Sequence, residues 1–208
     1  MSASLSLLES AKQAVSARIG NVTPALLDNE MRWVLDDFLR NTRVWREVVE
    51  VTMVPGQADY ALDIEDYEAA VGIIQARYGG FPVSLFIQRA SYTQTGAPAW
   101  AGLLNDRTLR VYPLPSAGTT GVMEVEVFKT LLPTLHAVPP DELRPYHRAI
   151  MDGLLSRMFE MADKPWHNLK AFAVAVANYE AAKADVRIMA DRGRAVTSQQ
   201  VAFPRHGF

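Results

Sequence analysis

Four histidines, two pairs of adjacent carboxylates, a Gly-Gly step and a set of C-terminal arginines are the residues here with the chemistry for a reaction or a charged ligand. His136, His147, His167 and His206 include no pair at the i, i+4 spacing of a helical metal site, and none has a neighbouring carboxylate to complete one. Asp36-Asp37 and Asp141-Glu142 are sequence neighbours, and neighbours on a helix point in different directions, so neither pair forms a shared acid/base dyad. The first pair is expected on a solvated face. Gly79-Gly80 is not followed by a helix and lacks the lysine and Ser/Thr of a phosphate loop, which leaves a hairpin turn. No G-x-S-x-G elbow occurs, and the absence of cysteine removes thiolate ligands and thiol nucleophiles. Arg187, Arg192, Arg194 and Arg205 are interrupted by Asp185 and Asp191, and cations near a helix C-terminus are what its dipole favours. Trp33 and Trp45 read as core or interface anchors, not base-stacking platforms. No catalytic residue, cofactor site or metal site emerges, and the chain is not expected to be an enzyme.

Such residues need a scaffold, and composition says what kind. With 208 residues, 49% of them hydrophobic and 21% charged, the chain can bury a real core, which excludes disorder and fibrous repeats. A net charge of −2 excludes a histone-like polycation, so contact with nucleic acid would have to use local patches. The N-terminal segment lacks the basic start and apolar core of a secretory signal. The longest charge-free stretch, Ala90 to Asn105, carries Pro98, Gly96 and Gly102 and does not suit a membrane span; a soluble protein is expected.

Periodicity then divides the chain. A first helix is expected from Leu5 to Arg18, ending at Gly20. A second runs from Pro24 to Asn41, with Thr23 as N-cap, Pro24 at the first helical position, and Leu27, Met31, Leu35 and Phe38 along one stripe. From Val48 the period becomes two: Val49, Val51 and Met53 on one side, Glu50 and Thr52 on the other. Further strand-like runs are Tyr60 to Leu62, Ala70 to Tyr78, Val83 to Ile87, Thr108 to Tyr112 and Val122 to Lys129. Pro139-Pro140 stiffen the return to helix, and Asp141 suits the cap of a single turn. A helix from Tyr146 to Ala162 carries Ile150, Leu154, Met158 and Met161. After Lys164-Pro165-Trp166, Asn168 caps a final Ala-rich helix reaching Gly193, with Leu169, Phe172, Val176, Tyr179 and Val186 at helical spacing.

The expected fold is α+β: a helical bundle formed by N- and C-terminal helices (1–47 and 131–193) with an inserted small antiparallel β-sandwich or barrel (48–130) and a C-terminal extended arm (194–208). The last segment has no acids and ends in Phe203, Pro204 and Phe208. It reads either as a frayed terminus or as a docking arm.

Seven ordered blocks then stand out: F-L-R-N-T-R-V-W-R-E from Phe38, V-P-G-Q-A-D-Y-A-L from Val54, G-G-F-P-V from Gly79, T-G-A-P-A-W from Thr95, L-R-V-Y-P-L-P from Leu109, P-D-E-L-R-P-Y-H-R-A-I-M-D-G-L-L from Pro140, and K-P-W-H-N from Lys164. In this order and spacing they resemble the head-to-tail adaptor proteins of short-tailed bacteriophages, over about Thr23 to Arg192. The resemblance matches Trp45 and Arg46 to the helix-to-sheet junction, and Gly56, Gln57, Tyr60 and Leu62 to the first hairpin. Leu109, Arg110, Tyr112, Pro113 and Pro115 match the central strand and its exit. Tyr146, Ile150, Gly153, Trp166 and Asn168 match the helical hairpin.

The resemblance implies a structural virion protein of the tail or neck, made in the host bacterial cytoplasm. It implies a homo-oligomeric ring, commonly of twelve copies, between the portal protein and the tail nozzle protein. Double-stranded DNA passes through without specific contact, and no cofactor or membrane is involved. Phe203, Pro204 and Phe208 would then anchor on the portal. A different reading is a carbohydrate- or peptide-binding β module with a helical collar, suggested by Tyr78, Tyr92 and Trp100.

Overall fold

The computed structural model describes residues 2–20, 22–85, 94–119, 121–132 and 141–198. His136, Pro139-Pro140, Tyr92, His206 and the proposed anchors Phe203, Pro204 and Phe208 lie outside the described residues.

Four α-helices flank a set of short strands. Helix α1 (Ser2–Ile19) ends where Gly20 takes a left-handed conformation and its N–H reaches the Ser16 carbonyl at 2.9 Å. Helix α2 (Pro24–Thr42) has Pro24 in its first turn. Thr23 stands at the N-cap without a side-chain bond; its backbone carbonyl accepts from Leu26 and Leu27. A 3₁₀ turn (Asp141–Tyr146) leads into α3 (His147–Glu160). Asn168 caps the start of α4 (Leu169–Ser198), accepting the Ala171 N–H at 3.0 Å.

One apolar core draws on all four helices. It includes Ala11 and Val15 of α1, Leu27, Val34 and Phe38 of α2, Ile150, Leu154 and Met158 of α3, and Ala175, Tyr179 and Val186 of α4. The residues on the expected stripe of α2 are all buried. Helix α4 runs past Gly193 to Ser198, because a glycine inside a helix costs only about 1 kcal/mol and does not end it alone.

The strands are β1 (Arg46–Thr52), β2 (Asp59–Ala61), β3 (Glu68–Tyr78), β4 (Phe81–Val83), β5 (Thr95–Gly96), β6 (Trp100–Asn105), β7 (Thr108–Tyr112), β8 (Leu114–Pro115) and β9 (Val122–Leu131). Two antiparallel sheets, ordered β1-β9-β3-β4 and β2-β7-β6, are linked by a bridge between Ser84 and Trp100. The β5/β8 pair is parallel, an exception to the antiparallel expectation. Gly79 and Gly80, both at positive φ, turn β3 into β4 as a two-residue hairpin requires.

Alternation decides which faces meet. Val49, Val51 and Met53 join Met123, Val125 and Val127 of β9 and Leu109 and Val111 of β7 in a second core, while Val48, Glu50 and Thr52 stay exposed. Strand β6 was not among the expected strands. Its Trp-Ala-Gly-Leu-Leu-Asn sequence does not alternate, and its place is set by pairing with β7 across the Asp106-Arg107 turn.

The loop between β1 and β2 is not the hairpin expected there, since β1 pairs with β9 and β2 with β7 in the other sheet, and it is closed by one side chain. The Tyr60 hydroxyl lies 3.1 Å from both the N–H and the carbonyl of Val54 and 2.9 Å from the Gln57 carbonyl. Replacing Tyr60 by Phe is expected to lower stability by about 1–2 kcal/mol, read as a shift in urea midpoint at unchanged m-value.

Candidate interaction surface

The residues of the ordered blocks hold the two cores to each other and shape the loops. Trp45 is buried at the exit of α2, with the Lys129 ammonium 4.7 Å from its ring centroid. Arg46 donates to the Arg43 carbonyl at 2.7 Å and the Ala190 carbonyl at 3.0 Å, and lies within 4 Å of Glu126 and Asp191. One guanidinium thus ties β1, β9 and α4. Lys129 is buried and donates to both Glu47 and Glu68 at 2.5 Å. Burial opposes its charge, but the two carboxylates outweigh that and hold its pKa above the ordinary lysine value.

The remaining matched positions are braces. The Gly56 N–H reaches the Pro115 carbonyl, and the Gln57 amide donates to the Asp59 carbonyl. Arg110 grips Asp59 through two bonds, at 2.6 and 2.7 Å, and that hydrogen-bonded guanidinium lowers the Asp59 pKa. Tyr112 donates to Gln94 and precedes the cis Pro113. Tyr146 packs against Phe38 with ring centroids 5.5 Å apart. Trp166 is half-buried against the helical core, its indole N–H without a partner.

Among the described residues no group of three His, Asp or Glu is placed to hold a metal ion, and no helix is long and apolar enough to cross a membrane. His147 meets Ser10 at 3.2 Å and His167 meets the Phe159 carbonyl at 3.1 Å. Tyr78 turns its hydroxyl to the Thr119 carbonyl at 2.7 Å and Trp100 is half-buried in β6, so neither is an open platform for a sugar.

The surface instead offers a groove of about 450 Å³ on the helical body, lined by α2, α3 and α4. Gly153, which has no side chain, and Ser156, whose side chain is small, are part of its lining, and Trp33, Phe172 and Glu160 also border it. Trp33 is 54% exposed, so of the two expected roles, core or interface anchor, it has the exposure of the second.

The adjacent carboxylates point apart, as neighbours on a helix must, but each finds a partner on another element. Asp36 accepts from Thr130 of β9 at 2.8 Å as well as from Arg40. Asp37 accepts from Lys183 at 2.7 Å and lies 2.8 Å from the Tyr179 hydroxyl. The solvated face expected for this pair is therefore a set of ties between elements far apart in sequence. Burial, with Asp37 beside it, pushes the Tyr179 pKa well up; burial opposes the Lys183 charge, yet Asp37 and Glu180 keep its pKa raised.

Asp152 on α3 behaves in the opposite sense. Burial raises its pKa against the pull of Arg148 and Arg18. A carboxyl whose folded pKa lies above its unfolded one costs stability, and the cost appears as pH rises through that window. Asp152→Asn is therefore expected to raise the urea midpoint at pH 7 and to leave it unchanged near pH 3.

The outer side of α4 is also unusual. Leu169, Val174, Ile188 and Met189 are 66, 62, 46 and 69% exposed. Ala173, Ala177, Ala181 and Ala184 are exposed between them.

The sequence profile of the family described as SU10 adaptor protein matches residues 6–202, both cores included. No curated protein matches the chain.

Proposed function

The chain belongs to the SU10 adaptor protein family, a family of phage head-to-tail adaptors, and on that premise we propose that it forms a ring joining the portal to the tail nozzle. The ring, of twelve copies by family resemblance, encloses part of the channel through which double-stranded DNA leaves the head. The protein sits in the virion neck and is made in the host cytoplasm. It acts as a coupling and has no reaction to perform.

The observation that carries this reading is the extent of the family match, which spans the helical body, the sheets and the junction between them. Two physical features support it. Arg46 fastens α4 to the sheet, while Lys129 ties β9 to β1 and β3 through ionic hydrogen bonds and lies against Trp45 of the helical core, a brace suited to a part that bears load between two larger assemblies. A net charge of −2 suits a conduit that must let DNA slide, because each phosphate neutralised by a clustered cation adds grip.

A cyclic ring is closed by heterologous contacts, so each copy needs two different patches, and copies stay separate until a template aligns them. Residues Phe203, Pro204 and Phe208 are proposed as the anchors that reach the portal, each burying enough apolar surface to contribute about 1.5–3 kcal/mol.

The test is genetic. Phage carrying an early stop codon in this gene are expected to yield heads that package DNA, gain no tail and lose their genome. Infectious virions made in the absence of the chain would reject the proposal.

A further inference from the structure

Helix α4 breaks the rule for a surface helix, which should turn charge towards water opposite its buried stripe. At about 100° per residue, Ala173, Val174, Ala177, Ala181, Ala184 and Ile188 share one arc of about 100° facing away from the buried Tyr179 and Val186. That arc holds no charged residue between Lys170 and Asp191, a length of about 30 Å. With Leu169 and Met189 also open, this face is unpartnered and apolar. Glu180 and Asp185 stand at its borders.

The groove beside Trp33 offers a complementary surface on the same body. Of the charged residues in its lining, Asp36 and Arg40 pair with each other, Asp37 and Glu180 with Lys183, and Arg157 with Glu30, which leaves Glu160 as the one with no ion pair among the described residues. Glu160 is the last residue of α3, where the Phe159 carbonyl meets Asn168 at the start of α4; Arg40 lies in the last turn of α2, between Asp37 and Asn41, which meet Lys183 and Arg187 of α4. The ridge carries the opposite signs at matching heights: Lys170 at the start of α4, and Asp185 four turns further along. Lys170, Asp185 and Glu160 form no ion pair among the described residues.

We propose that the apolar face of α4 in one copy seats in the α2–α4 groove of the next copy, and that this is the contact that closes the ring. The inference rests on the adaptor reading and names the partner as a second copy of this chain. Cyclic symmetry places equivalent residues at one height along the axis. With α4 along that axis, Lys170 meets the next copy's Glu160, and Asp185 joins Asp36 at the next copy's Arg40. Trp33 then covers the alanine stretch, where small side chains allow close approach.

The chain has no cysteine, so an introduced pair reports without background. Phage particles are assembled with the Lys170→Cys/Glu160→Cys chain and oxidised. The expected result is a reducible ladder of multimers of this chain, absent from each single variant and from a Lys170→Cys/Asp66→Cys control, Asp66 being fully open in the sheet region. A second readout guards against a folding defect: Lys170→Glu is expected to lower incorporation into particles several-fold, and added Glu160→Lys to restore it.

Particles that show the ring by electron microscopy but give no ladder, or give it equally with the control pair, overturn the seating and leave the adaptor reading standing. Wild-type particles without any ring of this chain overturn both.

Discussion

Lys129→Ala is expected to lower the stability of the folded chain by about 3–5 kcal/mol, the range for breaking a buried ion pair from one side. Lys129 and Glu68 are 5% and 4% exposed, so the carboxylate left behind is cut off from water. Glu47 is more open and can turn to solvent, which makes Glu68 the source of the loss. The double variant Lys129→Met/Glu68→Leu is expected to recover most of it, because two apolar side chains carry no stranded charge. The pH dependence has a defined sign. A lysine whose pKa is raised on folding contributes fully below the unfolded value of about 10.4, and the contribution fades as pH rises through the higher folded value. Urea midpoints of the parent and the Lys129→Ala chain are therefore expected to converge above that pH. A parent and variant that differ by less than 1 kcal/mol at pH 7, about the effect of a surface pair, would show that the buried network carries little.

The second large effect is expected at Gly153. A β-carbon there falls 2.8 Å from Tyr179 Cε2 and 2.8 Å from Val34 Cγ1, at the point where α2, α3 and α4 meet. Both neighbours are buried, and Tyr179 is also fixed through its hydroxyl near Val34 and Asp37, so neither can yield cheaply. Gly153→Ala is expected to cost about 1–3 kcal/mol of overpacking, offset by about 1 kcal/mol of helix propensity. Gly153→Leu is expected to separate the helices and abolish cooperative unfolding of the helical core. Gly118→Ala is the control, since nothing lies within 4 Å of a β-carbon there. Near-ultraviolet circular dichroism and urea titration separate the cases. A leucine variant as stable as the parent would mean that the three helices do not approach as closely as described.

Local rules made much of this architecture legible before any coordinates. Strict alternation marked β1 and β9 and gave their inward faces, and Pro24, Gly20 and Asn168 marked helix ends through capping chemistry that acts within a few residues. Strand β6 escaped because its residues do not alternate; only its pairing with β7 makes it a strand. The ties that matter most for the candidate surface join residues distant in sequence. Asp37 meets Lys183 across 146 positions and Lys129 meets Glu68 across 61, and no periodicity encodes either. The groove was equally hidden, since it needs three helices to exist, although Gly153 among larger apolar residues was a usable sign of close approach. Trp33 was read as a core or interface anchor, and its position on α2, outside the buried face, leaves the second of these.

The proposed coupling of portal to tail by a ring of this polypeptide is tested most directly by electron microscopy of the purified chain mixed with its cognate portal. A ring of this chain stacked on one end of the portal, with a continuous axial channel, is the predicted image. Intact portals that stay bare at saturating concentrations of the chain would contradict it.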